Sequence, residues 1–397
     1  MAQYTIDKLA KYIKAKDFVA LVKCAFIAPF ALIAKIFIRD FWLVCEDENE
    51  ARDNGFWFFR WVRLNRLDQK IAYAISKTSV DRYKVSELGK VIRYGSCAHW
   101  FWYIVADKNI SSQKGGKPNA AVCYLFEVVM GLRKNNRIFL QHGITVNKGN
   151  WLFYDNTKIR MFVTAAKPEH DFVLENFAYP VENVKLLGFC RFDNLHDGEE
   201  DADLLLVMPS WRNWLGRESS DNADMDFSTT QYCIKWNEFL QSATLAALLE
   251  RYDKKLIFFP HRNMQKFIGY FRAGSDRIEI AGDSEYDTQA LLKRASLLIT
   301  DYSSVFFDFS YMRKPVLFYQ FDEEEFRKRQ YAQGYFDYRN TVLGKWSSTL
   351  PQLTINLKNA LDEGCPKLDK AQIESFFPLY DAQNCNRTYD AIKGIGK

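Results

Sequence analysis

From about residue 120 onward, short apolar runs alternate with stretches of helical period. "AVCYLFEVVMGL" predicts a helix, "RIFLQHG" a strand running into a turn, and "IRMFVTAA" a second strand. "KPEHDFVLENFAY" predicts a helix opened by Pro168 in its first turn, and "VKLLGFCRFDNL" a strand, turn and loop. The acidic tract "HDGEEDAD" (196–203) reads as a solvated linker. Behind it the pattern restarts. "LLLVMPSW", "KKLIFFPH", "SLLITD" and "KPVLFYQF" predict strands, separated by helices over residues 235–252, "DTQALLKRA" and "SVFFDFSYM".

Strands alternating with helices imply parallel, doubly wound sheets. The same grammar on both sides of a linker predicts an α/β chain of two Rossmann-like domains facing a cleft, over residues 46–198 and 199–375. Residues 1–45 are expected to form a basic, apolar, amphipathic helical segment packed with the first domain, and residues 376–397 a C-terminal helix. A length of 397 residues with 48% hydrophobic and 26% charged side chains suits two cores and excludes general disorder.

The net charge of +5 is localised. Lys8, Lys11, Lys14, Lys16, Lys23, Lys35 and Arg39 stand against only Asp7 and Asp17 in residues 1–39, an excess equal to that of the whole chain. The remainder is neutral, so a broad nucleic-acid-binding surface is not expected. In "FVALVKCAFIAPFALIAKIFIRDFWLVC" the longest uncharged run, Cys24 to Ala34, is 11 residues, short of the roughly 20 that a spanning helix needs. Apolar residues with interleaved lysines instead suit a helix lying on an anionic membrane surface, and Ile6, Leu9 and Ile13 share one helical face before it. The alternative is an amphipathic helix packed on the protein's own core.

Eight scattered cysteines without a C-x-x-C pair read as reduced thiols. "SSQKGGKPNA" (111–120) is a loop, but Pro118 stands where a phosphate loop places its Ser or Thr. Neither G-x-S-x-G nor H-E-x-x-H is present. Asp47, Glu48, Glu50 and Asp53 read as a solvated acidic loop rather than a cation site, and no metal is assigned.

Ligands of doubly wound sheets bind beyond the carboxyl ends of strands. Four predicted strand ends carry polar clusters: Gln141-His142-Gly143, Pro209-Ser210-Trp211-Arg212, Pro260-His261-Arg262 and Asp301-Tyr302-Ser303-Ser304. The last is expected either to cap a helix or to hold an anion on free N–H groups and hydroxyls. His261 and Arg262 on the preceding strand favour the anion, because cationic donors suit phosphate. A neutral His142 can accept a proton, with Lys148 shortly after it. Arg212 reads equally well as a donor contact or as a structural ion-pair residue.

"LLITDYSSVFFDFSYMRKPVLFYQFD", "FLQHGITVNKGNW", "VKLLGFCRFDNL", "VMPSWRNWL" and "FFPHRNM" together resemble the CDP-glycerol glycerophosphotransferase family, whose members build teichoic acids and related capsular polymers. "EARDNGFWFFRWVR" and "RYGSCAHWFWYIVADKNISS" look like its earlier signatures, so the resemblance covers roughly residues 45–345. It implies a glycosyltransferase-B-type fold with the active site in the cleft and CDP-glycerol as the donor substrate, with no further cofactor. It implies His142 as the acceptor base and His261 as a phosphate contact. Arg262, Asp301, Tyr302, Ser303, Ser304, Ser210 and Arg212 then fall on the donor side, and Lys148, Asp53 and Asn54 are candidates on the acceptor side. The implied partners are a lipid-linked or polymeric acceptor and the anionic cytoplasmic face of the cell membrane, with peripheral attachment; self-association is left open. One departure is that His142-Gly143 leads into Ile144-Thr145-Val146-Asn147-Lys148, where family polymerases commonly have Thr-Pro-Leu-Lys. Transfer from CDP-ribitol, a nucleotide-sugar glycosyltransferase and an inactive membrane-associated assembly scaffold are the competing expectations.

Overall fold

The computed structural model describes residues 14–131, 136–216, 226–282 and 285–395. Two compact units emerge. The first runs through His142 and takes in Gly149–Asp193 and the stretch from Asp381; the second comprises Gly143–Lys148 and Asn194–Tyr380. Ile6, Leu9, Ile13, Lys8 and Lys11 lie outside the described residues.

The first unit holds a seven-stranded, wholly parallel sheet: β1 (Phe41–Val44), β2 (Lys70–Ile75), β3 (Val91–Arg93), β4 (Lys108–Ser111), β5 (Arg137–Phe139), β6 (Met161–Thr164) and β7 (Val184–Leu186), in the order β3-β2-β1-β4-β5-β6-β7. The chain winds outward from β1 to β3, then returns to β4 on the other side. The β1/β4 boundary is therefore a topological switch point, where crevices open beyond the strand ends.

Helix α1 (Ala15–Phe37) docks on this unit through small residues. Ala20, Cys24 and Ala31 are buried, which lets the helix approach α3 closely, α2 being Asn54–Asn65 and α3 Cys97–Val105. Two of its lysines point inward, Lys16 being exposed: Lys23 Nζ donates to the Gly95 carbonyl at 3.1 Å, and Lys35 Nζ to the Ile104 and Ala106 carbonyls at 3.2 and 3.4 Å. This corrects the picture of a broken apolar run. Because the fold supplies carbonyl partners for the charges, one continuous helix of 23 residues forms, long and apolar enough by length and composition to cross a membrane. Its outer face is apolar: Phe18, Phe26 and Phe37 are 66%, 68% and 79% exposed. The C-terminal helix Asn384–Gly394 also belongs to this unit, with the Asn384 and Cys385 N–H groups donating to the Asp193 carboxylate at 2.9 and 2.8 Å.

The second unit holds a six-stranded parallel sheet of β8 (Asp201–Met208), β9 (Lys255–Phe258), β10 (Ile278–Ile280), β11 (Ala295–Thr300), β12 (Val316–Tyr319) and β13 (Lys345–Ser347), in the order β10-β9-β8-β11-β12-β13. Numbered from its own first strand this is 3-2-1-4-5-6, the Rossmann order. The acidic tract expected as a linker already enters β8 at Asp201, and the helix expected over 235–252 is two helices, Gln231–Leu240 and Ala243–Arg251, the second capped by the Ser242 hydroxyl. Met208 pairs with Thr300, and Val207 with Phe258. That register brings the ends of β9, β8 and β11 out side by side, followed by α4 (Val305–Tyr311) and α5 (Glu323–Arg329) after β11 and β12. Residues 143–148 pack here because Gly334 allows it: a Cβ at that position would lie 1.9 Å from the Val146 carbonyl oxygen.

Candidate active site

In the first unit, β5 ends at Phe139 and the chain turns through Gln141, whose φ of 61° lies in the left-handed region. A non-glycine residue there is held by its surroundings. The holder is Asn54, fully buried at the start of α2: its Nδ2 donates to the Gln141 carbonyl at 2.6 Å and to the Leu140 carbonyl at 3.3 Å, while its Oδ1 accepts from the Arg191 N–H at 3.0 Å. Gln141 Oε1 in turn accepts from the His142 N–H at 3.0 Å.

The start of α2 is itself anchored by Glu46, buried just past β1. Its carboxylate accepts from the Phe56, Arg52 and Asp53 N–H groups and from the Ser112 hydroxyl, at 2.7–3.3 Å. Ser112 follows β4, so this network bridges the switch point. Asp53 caps α2 through the Asn54 N–H and pairs with Arg191 at 2.9 Å.

His142 is solvent-accessible, yet enough protein surrounds its ring to disfavour the imidazolium. That desolvation comes first, and the Arg191 charge second, in lowering its pKa to about 4; a hydrogen bond from the ring to the Ser112 backbone opposes them. One ring nitrogen thus donates to a carbonyl. The other is left as a neutral acceptor, the state a general base needs.

In the second unit, three joints form one ledge. The His261 N–H donates to the Pro209 carbonyl at 3.0 Å, tying the end of β9 to that of β8. The Ser210 N–H donates to Asp301 Oδ1 at 2.8 Å, tying β8 to β11. The rings of Trp211 and His261 stack with centroids 6.3 Å apart. His261 Nδ1 accepts from the Asn263 N–H at 3.2 Å, so the neutral ring carries its proton on Nε2 and presents a donor there.

Not every donor-side expectation is a surface group. Arg212 is fully buried, with Nε and Nη2 on the Asp322 carboxylate at 2.7 and 3.0 Å and Nη2 2.9 Å from Asp301 Oδ2. Burial alone would favour the neutral guanidine, but the two carboxylates hold the charge and raise its pKa. Arg212 and Asp301 therefore form a buried ion pair beneath the ledge. Ser210 is also buried, its hydroxyl accepting from Arg212 at 2.9 Å. Tyr302 stacks on Phe326 with centroids 3.8 Å apart.

What reaches the surface is His261, Arg262, Ser303 and Ser304. The helix-cap expectation is met only by a long bond, the Ser303 hydroxyl accepting from the Val305 N–H at 3.5 Å. Ser304 occupies the cap position and makes no side-chain capping bond, while Asp301 Oδ1 accepts from Ser210 and Tyr302. With α4 only seven residues long, the hydroxyls rather than a helix dipole are the useful feature. Lys148 is exposed. Asn54, expected as an acceptor-side contact, is instead wholly engaged within the protein, as its burial requires. Glu46, Ser112 and Arg191 were not expected. Glu46 stood out in the sequence only as a neighbour of three exposed or half-exposed acidic residues.

A family profile described as CDP-Glycerol:Poly(glycerophosphate) glycerophosphotransferase matches residues 41–394. The chain belongs to this family. Among its relatives, the minor teichoic acid biosynthesis protein GgaB of Bacillus subtilis is 31% identical over 363 residues, covering 88% of this chain and 39% of GgaB. The teichoic acid poly(ribitol-phosphate) polymerase of Bacillus spizizenii is 33% identical over 107 residues, 26% of this chain and 16% of the polymerase. The chain thus spans about two fifths or less of the length of these relatives. A structure of the wall teichoic acid polymerase TagF has a TM-score of 0.66 at 13% identity and covers 96% of this chain and 98% of its own, so the two share the glycosyltransferase-B-like fold. Another structure of that polymerase was obtained after a soak with CDPG.

Proposed function

We propose that this chain transfers glycerol phosphate from CDP-glycerol to a hydroxyl of a lipid-linked or polymeric acceptor, releasing CMP, in teichoic acid or capsular polymer synthesis. The observation that carries the reading is the ledge of the second unit. Three adjacent strand ends present His261 Nε2–H, Arg262 and the Ser303 and Ser304 hydroxyls over a buried, charge-balanced support. Such donors fit a diphosphate. The family description supports CDP-glycerol, and the CDPG soak of TagF agrees with it.

In this mechanism the acceptor oxygen attacks the β-phosphorus of the donor. Its proton passes to the free nitrogen of His142, the bond from phosphorus to the bridging oxygen breaks, and CMP departs with that oxygen. His142 contributes about 10²–10⁴-fold if it behaves as an ordinary general base. The second unit's donors stabilise the charge that grows on the leaving phosphate. The outer face of α1 rests on the cytoplasmic surface of the membrane as a peripheral anchor, which brings a lipid-linked acceptor to the enzyme.

The resemblance to a ribitol-phosphate polymerase favours CDP-ribitol as the second reading. The deciding experiment incubates the chain with CDP-glycerol, CDP-ribitol or nucleotide sugars and defined lipid-linked acceptors, measuring CMP release and product mass. Addition of one or more glycerol phosphate units supports the first reading. A ribitol phosphate increment replaces it with the second, and no turnover of any donor returns the chain to an assembly scaffold.

A further inference from the structure

Two guanidinium groups lie against the ring of Tyr302, and they differ in one respect. Arg212, 5.2 Å from the ring centroid, is neutralised by Asp301 and Asp322. Arg327, 5.7 Å from the same centroid and 5.8 Å from those of Phe326 and Tyr338, has no carboxylate within 4 Å among the described residues. Its Nε is buried without a hydrogen-bond partner, and so is the Tyr302 hydroxyl. A half-buried cation with no counter-charge is costly unless an anion arrives to complete it.

Arg327 lines a recess of about 580 Å³ at the carboxyl ends of β12 and β13, where Gln320 and Ser348 follow the strands. The other cation there, Arg339, is already spoken for: it pairs with Glu323 at 2.6 Å and lies 4.2 Å from the Trp346 ring centroid. The Gln320 amide is likewise engaged, donating to the Asp301 carbonyl and accepting from Trp346 Nε1. Arg327 is left as the recess's spare cation among the described residues. Three aromatic rings hold it in place, and Tyr302 links it directly to the Ser303-Ser304 joint.

We propose that Arg327 is a donor-binding residue that takes a phosphate of the nucleoside diphosphate, so that the phosphate site extends from the β9, β8 and β11 ledge to the end of β12. This rests on the reading of the second unit as the CDP-donor site. A guanidinium suits the role because its planar donors bind phosphate oxygens in pairs while its faces stack on rings.

The test is calorimetric titration of the full chain with CDP and with cytidine, comparing wild type, Arg327→Met and Arg327→Lys. Arg327→Met should weaken CDP roughly ten- to hundredfold and leave cytidine within about twofold, with Arg327→Lys recovering part of the loss. Equal CDP affinity in wild type and Arg327→Met overturns the assignment while the donor reading stands. Failure of wild type to bind CDP overturns both. If Arg327→Met does not fold, phenylglyoxal labelling of the wild-type chain, mapped by mass spectrometry, decides. Protection of Arg327 by CDP but not by cytidine supports the proposal, and labelling unchanged by CDP overturns it.

Discussion

Asn54 holds Gln141: a fully buried amide donates at 2.6 Å to the carbonyl of a residue with φ of 61°, one position before His142. The turn that aims the proposed base is thus set from a helix start nearly ninety residues earlier in the chain. Asn54→Ala strands the Gln141 carbonyl and the Arg191 N–H, at a cost of about 1–3 kcal/mol for each buried group left unpaired. The expected result is a lower unfolding midpoint and a CMP-release rate reduced by more than tenfold. Affinity for CDP-glycerol, read by calorimetry, should stay within about twofold, because the proposed donor site lies in the other unit. Loss of donor binding in a folded Asn54→Ala chain would contradict this division of labour.

The depressed pKa of His142 sets a direction for the pH profile. A base must be neutral, so activity should persist as pH falls through the usual imidazole range near 6.5 and decline only toward about 4 in kcat/KM, which reports the free enzyme. Bound diphosphate adds negative charge and favours the imidazolium, so the acid limb of kcat should lie at higher pH than that of kcat/KM. Removing the nearby cation in Arg191→Met should raise the kcat/KM limb, only in part because desolvation is the larger cause. Asp53→Asn, which removes a carboxylate paired with Arg191, should lower it. An acid limb near 6.5 that ignores both substitutions would remove His142 from the base role.

His261 and Arg212 should separate binding from folding. His261→Ala removes the proposed Nε2–H donor from a half-buried position, and CDP affinity should fall about tenfold with little change in thermal stability. Arg212→Met leaves Asp301 and Asp322 buried without their counter-charge. Breaking such an arrangement costs about 3–5 kcal/mol, so this variant should fail first in chemical denaturation. Wild-type stability in Arg212→Met together with lost CDP binding would reinstate Arg212 as a direct contact.

Much of this was legible in the chain because the informative residues interrupt apolar runs. Phe259-Pro260-His261 and Thr300-Asp301 break their strands abruptly, and the alternation of elements after residue 120 shows which ends share a sheet face. The first three strands were harder. Phe41–Val44 is buried inside a longer apolar stretch, and β3, β10 and β13 are three residues each, too short for a period to appear. The Asn54–Arg191 and Asp53–Arg191 pairings join positions 137 and 138 residues apart, and no local pattern signals them. The buried pairing of Arg212 was likewise not legible, since only packing shows that Asp322 and Asp301 converge on it.

Helix α1 carries the last prediction, because its outer face is left exposed by the described residues. Phe18, Phe26, Phe30, Ile33 and Phe37 are all more than half exposed, while the small residues Ala20, Cys24 and Ala31 make the contact with the body. A helix whose main purpose was to build the core would reverse that arrangement. Lys23 and Lys35 are held by backbone carbonyls and so do not oppose burial of the apolar face in lipid. Replacing Phe18, Phe26 and Phe30 with Ser should therefore leave the thermal unfolding midpoint within about 2 °C, because exposed positions contribute little to stability. The same change should remove most co-flotation with vesicles containing anionic lipid, since each ring would otherwise bury apolar area at roughly 25 cal/mol per Å². Binding to those vesicles unchanged by the triple substitution would show that α1 is not the anchor. A large fall in stability would mean that this face is covered by protein rather than lipid.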